Sequence, residues 1–161
     1  MIFEQVMANE EDKINYIYEI IKKNGKEMLE QQGLIHWKTP YPKESIKEDC
    51  EKKNVFLVKD GEEYVHTFQL EITSDLSDTT VHKKVTINKF ATSPEFSGRG
   101  IGKKSIRYIG EFCNKHGISK ISLDVYDKSS VAINFYKKVG FTKVGSKRTK
   151  HFTVHVMEKN L

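Results

Sequence analysis

The sequence predicts an α/β domain built on a mixed sheet. Hairpin patterns stand at both ends of the region that forms the sheet, and a strand-helix-strand unit lies between them, which is the order that combines antiparallel and parallel pairing. The size agrees: 161 residues, 37% hydrophobic and 30% charged, with nine Phe, seven Tyr and one Trp, suit one compact core.

A short strand is expected near residues 2–7. Asn9 then offers an N-cap, with Glu10, Glu11 and Asp12 in the first turn, where the positive end of the helix dipole favours carboxylates. Ile14, Ile17, Tyr18 and Ile21 recur on one face at helical spacing, and Lys22, Lys23 and Gly25 read as the stop. A second helical stretch is expected over 26–32. The segment 33–42, GLIHWKTPYP, reads as an ordered loop carrying Trp37 and Tyr41, and 43–53 as a helix with a thin apolar face. A hairpin follows: 55–58 is a short apolar run, Asp60-Gly61 a turn dipeptide, and Tyr64, His66, Phe68, Leu70 and Ile72 alternate along the returning strand. Residues 74–80 read as a polar turn and 81–92 as a long strand with Val85 and Ile87 on one face.

From there the order is glycine loop, helix, strand, helix, strand, strand. Ile106, Ile109, Phe112 and Cys113 form the helix's buried stripe, which Gly117 ends. Ile121, Leu123 and Val125 alternate on the next strand, which places Ser122, Asp124 and Tyr126 on its opposite face. Val131, Ala132, Phe135, Tyr136 and Val139 mark a short helix closed by Gly140, and 141–146 with 152–157 reads as a terminal hairpin.

Composition narrows the function classes. No run approaches the ~20 apolar residues of a membrane helix, and the N-terminus lacks a basic region followed by an apolar stretch. A cytoplasmic location is therefore expected. Cys50 and Cys113 are too few for a disulfide scaffold or a four-ligand zinc site, and six scattered histidines lack metal-ligand spacing, so no metal is expected. The net charge of +5 favours anionic partners. Because lysines alternate with acids over 10–26 and 43–53, solvated helix faces are expected rather than a nucleic-acid stripe.

The most informative segment is FATSPEFSGRGIGKKS, residues 90–105, in which a strand leads through Pro94 to three alternate glycines, Gly98, Gly100 and Gly102, at a helix start. Such a loop turns tightly and presents main-chain N–H groups at the positive end of a helix, a setting that suits phosphate. Arg99, Lys103 and Lys104 add positive charge. A Walker A loop fits poorly, because Gly98 to Gly102 is one residue short and Lys104 stands where Ser or Thr belongs. A dinucleotide fingerprint fits poorly, because Ser105 stands where the third glycine belongs, but Asp124 sits roughly where the ribose acid would be, which keeps that reading open. A turn serving chain reversal alone is the remaining alternative.

Downstream, SSVAINFYKKVGF at 129–141 places Ala132 and Tyr136 on one helix face and ends in Gly140-Phe141. Together the two blocks resemble the GNAT superfamily of acyl-CoA-dependent N-acetyltransferases, over residues 81–161; the first eighty match only in element order. The resemblance implies one acetyltransferase domain over 1–161. Its sheet would be mixed and mostly antiparallel, with about seven strands, about four helices and a splayed central strand pair. Residues 1–80 would form the substrate side and 81–161 the acetyl-CoA-binding and catalytic half.

The same resemblance implies that acetyl-CoA lies with its pyrophosphate over Ser97, Gly98, Arg99, Gly100, Ile101, Gly102 and Lys103. Its pantetheine arm would follow Phe90, Ala91 and Thr92, with Ser129 also at the cofactor and an N–H near Thr92 stabilising the oxyanion. Two positions depart from the pattern: Ser97 stands for the usual Arg or Gln, and Ser129 for the usual Asn. Tyr136 matches the family tyrosine facing the cofactor sulfur and is the expected acid, since a phenol with pKa near 10 stays protonated at neutral pH. Asp124 is the expected base, with Glu71 or a water chain as alternatives; His66 and His155 are read as strand residues. Trp37 and Tyr41 are expected to wall the acceptor amine, unless Trp37 packs over the sheet edge. The implied reaction is direct attack of a primary amine, in a small molecule or polypeptide, on the thioester. The alternative is a catalytically silent acyl-CoA-binding module. No membrane or nucleic-acid partner is expected, and a homodimer is left open.

Overall fold

In the computed structural model, which describes the backbone of residues 1–77 and 80–161 and the side chains of 1–74 and 82–161, the elements run β1 (Ile2–Gln5), α1 (Glu11–Gln32), α2 (Lys43–Lys52), β2 (Asn54–Asp60), β3 (Glu63–Ser77) and β4 (Thr80–Thr92), then a 3-10 turn at Pro94–Phe96, α3 (Ile101–Lys115), β5 (Lys120–Tyr126), α4 (Ser130–Lys138), β6 (Thr142–Arg148) and β7 (Thr153–Asn160). The strands form one seven-stranded sheet in the order β1-β2-β3-β4-β5-β7-β6. β4 and β5 pair in parallel; β1 with β2, β2 with β3, β5 with β7 and β6 with β7 pair antiparallel. This is the mixed sheet that the patterns predict, mostly antiparallel and with four helices as the resemblance implies. The parallel ladder ends at Ile87↔Leu123, although β4 continues to Thr92 and β5 to Tyr126. Among the described residues no helix is long and apolar enough to cross a membrane. The chain forms two compact units, Met1–Leu70 with Lys89–Gly102, and Glu71–Asn88 with Lys103–Leu161.

In the first unit, helix α1 corrects the expected stop at Gly25. One 22-residue helix runs through that glycine and ends at Gly33, whose φ of +68° lets its N–H and that of Leu34 cap the carbonyls of Leu29 and Met28. Gly25 is there for contact, since a Cβ would stand 2.3 Å from the Trp37 carbonyl oxygen. Glu10 rather than Asn9 is the N-cap residue, and its Oε1 accepts from the Met7 N–H. Ile14, Ile17, Ile20 and Ile21 of α1 join Ile46 and Cys50 of α2 and Val55 and Leu57 of β2 in a buried core. Each such aliphatic side chain stabilises the fold by about 1.5–3 kcal/mol relative to exposure. In β3 every residue from Val65 to Leu70 is buried, so its alternation separates two covered faces. Beyond Leu70 the strand passes to the second unit, where Ile72, expected on the apolar face, is 39% exposed.

In the second unit, Val85, Ile87, Ile121, Leu123, Val125 and Met157 are buried sheet residues, and α3 buries Ile106, Ile109 and Cys113. The polar turn expected over 74–80 is strand at 74–77 and again at Thr80, while 78–79 lie outside the described residues. In α4 the buried positions are Ile133 and Tyr136, whereas Val131 is 62% exposed. Lys159 of β7 closes this helix by donating from Nζ to the Val139 carbonyl at 2.8 Å, where the negative helix end favours a cation.

Candidate active site

The glycine loop follows the 3-10 turn and leads into α3. Gly98 and Gly100 take φ of +79° and +74°, which side-chain-bearing residues rarely adopt. A Cβ on either would meet nothing within 4 Å. The glycines are therefore required by backbone shape and not by crowding. Left-handed turns of this kind turn successive N–H groups toward an anion, and the opening N–H groups of α3 have no helical carbonyl to take them. The loop is exposed from Ser97 to Gly100. Arg99 lays its guanidinium 5.2 Å from the Phe96 ring centroid, and Lys103 and Lys104 are exposed in the first turn of α3. These residues fit a diphosphate.

The end of β4 carries Phe90, Ala91 and Thr92, and it is held on three sides within the first unit. Thr92 Oγ1 lies 2.8 Å from His66 Nδ1, the Thr92 carbonyl accepts from Asn24 Nδ2 of α1 at 2.9 Å, and the next N–H, of Ser93, donates to the Val65 carbonyl at 2.9 Å. Ala91 is buried and Thr92 half-buried. His66 has no exposed surface and packs T-shaped on Phe90 at 4.4 Å. Burial lowers its pKa to about 3, so the ring is neutral, which fits a strand residue.

Just before this segment, Lys89 takes φ +51°, the one non-glycine among the described residues with positive φ. Such a residue inside a strand is uncommon and breaks the pleat. Its ammonium pairs with Asp49 of α2 and sits 4.2 Å from the Tyr41 ring centroid, while Gln69 Nε2 donates to the same carboxylate at 3.0 Å. Burial, then the Asp49 charge, raise the Tyr41 phenol above its ordinary pKa. Trp37 and Tyr41 meet edge-on at 6.4 Å and pack against the first unit's core. The two expected substrate-wall residues are thus neighbours, and the Tyr41 face already carries a cation.

Tyr136, in the second unit, is 9% exposed and ringed by Phe135 and Phe141 at 5.3 and 5.6 Å. Burial raises its phenol well above the usual range. Ser129, the N-cap residue of α4, is buried, and its Oγ has no hydrogen-bond partner among the described residues. Buried hydroxyls are seldom left so, which fits a position that meets a ligand. Asp124 has different surroundings: it is exposed on β5 and forms an ion pair with Lys147 Nζ at 2.8 Å. Glu71 is exposed on β3. Sequence reasoning missed the His66–Thr92 contact, the Asn24 clasp and the Asp49–Lys89 pair. Only His66 left a trace, as a polar residue at an apolar strand position.

The sequence matches the Acetyltransferase (GNAT) family over residues 16–141. It is 28% identical over 64 residues to streptothricin acetyltransferase of Streptomyces lavendulae, a match spanning 40% of this chain and 34%, about a third, of that relative. The fold is similar to the PaiA N-acetyltransferase of Thermoplasma acidophilum in complex with coenzyme A (TM-score 0.75, 18% identity, 99% of this chain and 98% of that one). It is also similar to the ribosomal-protein-S18-alanine N-acetyltransferase of Escherichia coli (TM-score 0.74, 14% identity, 99% and 92%). With its strand-to-helix glycine loop and buried helix tyrosine inside the matched region, the chain belongs to the acetyltransferase (GNAT) family.

Proposed function

We propose that this chain is an acetyl-CoA-dependent N-acetyltransferase acting on a primary amine of a small molecule or polypeptide. The observation that carries the reading is the open glycine loop, held in left-handed turns at Gly98 and Gly100 within the span matched to the family. A structural relative complexed with coenzyme A supports the same donor. The named relatives differ in acceptor, one being named for streptothricin and another for an alanine of ribosomal protein S18, so the acceptor is defined here only by its amine.

In the proposed reaction the neutral amine nitrogen attacks the thioester carbonyl carbon. The C–N bond forms, the C–S bond breaks, the amine loses a proton and the sulfur leaves as a thiolate that gains one. Ser97, Gly98, Arg99, Gly100, Ile101, Gly102 and Lys103 hold the donor's diphosphate, Phe90, Ala91 and Thr92 its extended arm, and Ser129 an adjoining polar group. Tyr136 protonates the thiolate; a phenol raised by burial is fully protonated at neutral pH. Asp124 is the proposed base, which requires its carboxylate to exchange Lys147 for the acceptor. Trp37 and Tyr41 wall the alkyl part of the acceptor, because the Lys89 ammonium occupies the Tyr41 face.

The test is free-thiol release from acetyl-CoA across a panel of amines. Turnover on one amine is expected, and Tyr136→Phe should lower kcat on the order of 10²-fold while coenzyme A affinity stays within about threefold, as for a proton donor that binds little of the substrate. Unchanged kcat would remove Tyr136 from the mechanism. A silent acyl-CoA-binding module is favoured by one observation, the engagement of Asp124 by Lys147. It predicts thermal stabilisation by coenzyme A with no thiol released on any amine.

A further inference from the structure

His66 presents a hydrogen-bonding problem whose solution assigns a role to Thr92. The ring has no exposed surface; its Nδ1 lies 2.8 Å from Thr92 Oγ1, and its Nε2 has no partner among the described residues. Phe90 and Phe68 stand at 4.4 and 5.9 Å from it. A neutral imidazole carries one N–H and one lone pair, so two arrangements exist. If the Thr92 hydroxyl donates to Nδ1, the ring hydrogen sits on Nε2, a buried donor with no partner among the described residues. If instead Nδ1–H donates to Thr92, only a lone pair is left unmatched at Nε2. Orphaned buried N–H groups are rarer than under-used acceptors, which favours the second.

The consequence falls on Thr92. With one oxygen lone pair taken by Nδ1–H, its own hydroxyl hydrogen is released to donate elsewhere. The backbone beneath it cannot swing away, because Asn24 holds the Thr92 carbonyl and Val65 the Ser93 N–H. Thr92 is half-buried whereas His66 has no exposed surface, so of the two only Thr92 is open to a bound molecule.

We propose that His66 is a positioning residue that fixes the Thr92 hydroxyl as a hydrogen-bond donor to the carbonyl oxygen of the acyl group. This rests on the acetyl-transfer reading and adds to it a side-chain donor where charge develops on that oxygen. A preorganised donor of this kind strengthens its bond as the tetrahedral centre forms, so its loss falls on kcat more than on KM.

The first measurement needs no turnover. Nitrogen-15 NMR of the imidazole in the full-length protein should show the hydrogen of His66 on Nδ1 and none on Nε2; a hydrogen on Nε2 overturns the assignment. The second is kinetic. Thr92→Val should lower kcat on the order of 10²-fold with the acetyl-CoA KM within about threefold, and Thr92→Ser should recover most of the loss. His66→Phe should lower kcat at least about tenfold without lowering the melting temperature, and should add less than about twofold in a Thr92→Val background, since the two act as one unit. His66→Asn, whose Nδ2 donates from the place of Nδ1, should restore activity. Losses confined to KM, or multiplying in the double variant, overturn the proposal. If the protein binds acetyl-CoA yet moves no acetyl group, the transfer reading fails by itself, and the tautomer alone then decides whether His66 holds Thr92 as a donor. Should His66→Phe fail to fold, the tautomer and the Thr92 pair still decide.

Discussion

Gly25 shows how one residue can carry two opposite meanings. Inside a helix glycine is about 0.5–1 kcal/mol worse than alanine, and by that rule alone Gly25→Ala should stabilise α1. The added Cβ would stand 2.3 Å from a backbone oxygen, that of Trp37, which no rotamer change can move aside. Overpacking of this kind costs about 1–3 kcal/mol and outweighs the propensity gain. Gly25→Ala should therefore destabilise by about 1–2 kcal/mol, read as a lower urea midpoint at unchanged slope. A raised midpoint would show that the Trp37 loop yields freely. The expected helix stop at Gly25 failed for this reason, because a glycine selected by a distant carbonyl looks in sequence like a glycine that ends a helix. Lys89 was less legible still. A lysine in a strand signals an exposed position, and neither its left-handed φ nor its half-buried pairing with Asp49 leaves a local pattern.

At the scale of elements, strands were more legible than helix ends. The period-two runs through Val85 and Ile87 and through Ile121, Leu123 and Val125 fall on buried strand positions, since a covered face forces alternation. The ends of α1 depend on a cap and a tertiary contact, which explains the misplaced N-cap and stop. In α4, nine residues are too few for a face to declare itself, and the pattern points to Val131 where Ile133 is the buried residue. The glycine loop was legible because its shape restricts residue type directly. Gly98→Ala and Gly100→Ala each force a Cβ into positive φ without meeting a neighbour. Each should cost about 1–2 kcal/mol of stability, because the loop is exposed and bears no core contact. Coenzyme A affinity should fall at least about tenfold, since the N–H groups are turned off the diphosphate. Calorimetric titration of each variant separates the two effects. Unaltered affinity in both would leave the loop a simple chain reversal.

For the molecule as a whole, stability against acid follows from the histidines that folding keeps neutral. His66 has a folded pKa of about 3 against an ordinary 6.5, and partial burial lowers that of His36 as well. The unfolded chain then binds protons that the native chain refuses. Native stability is complete above pH 6.5 and declines as pH falls from there toward 3. By pH 4.5, two units into that window, His66 alone removes roughly 3 kcal/mol, a large share of the 5–15 kcal/mol typical of a domain. Glu10 and Glu95 have lowered pKa values from their partners Lys13 and Ser93, so their stabilisation is lost only at lower pH, below about 4.5. Urea unfolding between pH 7 and 4.5 should therefore show a decline of at least roughly 3 kcal/mol in the wild type, and one smaller by about that amount in His66→Phe, where the remaining slope belongs to His36. Parallel profiles for the two proteins would mean that His66 takes up its proton in the folded state. A sealed, neutral ring behind Thr92 could then no longer be the source of the acid sensitivity.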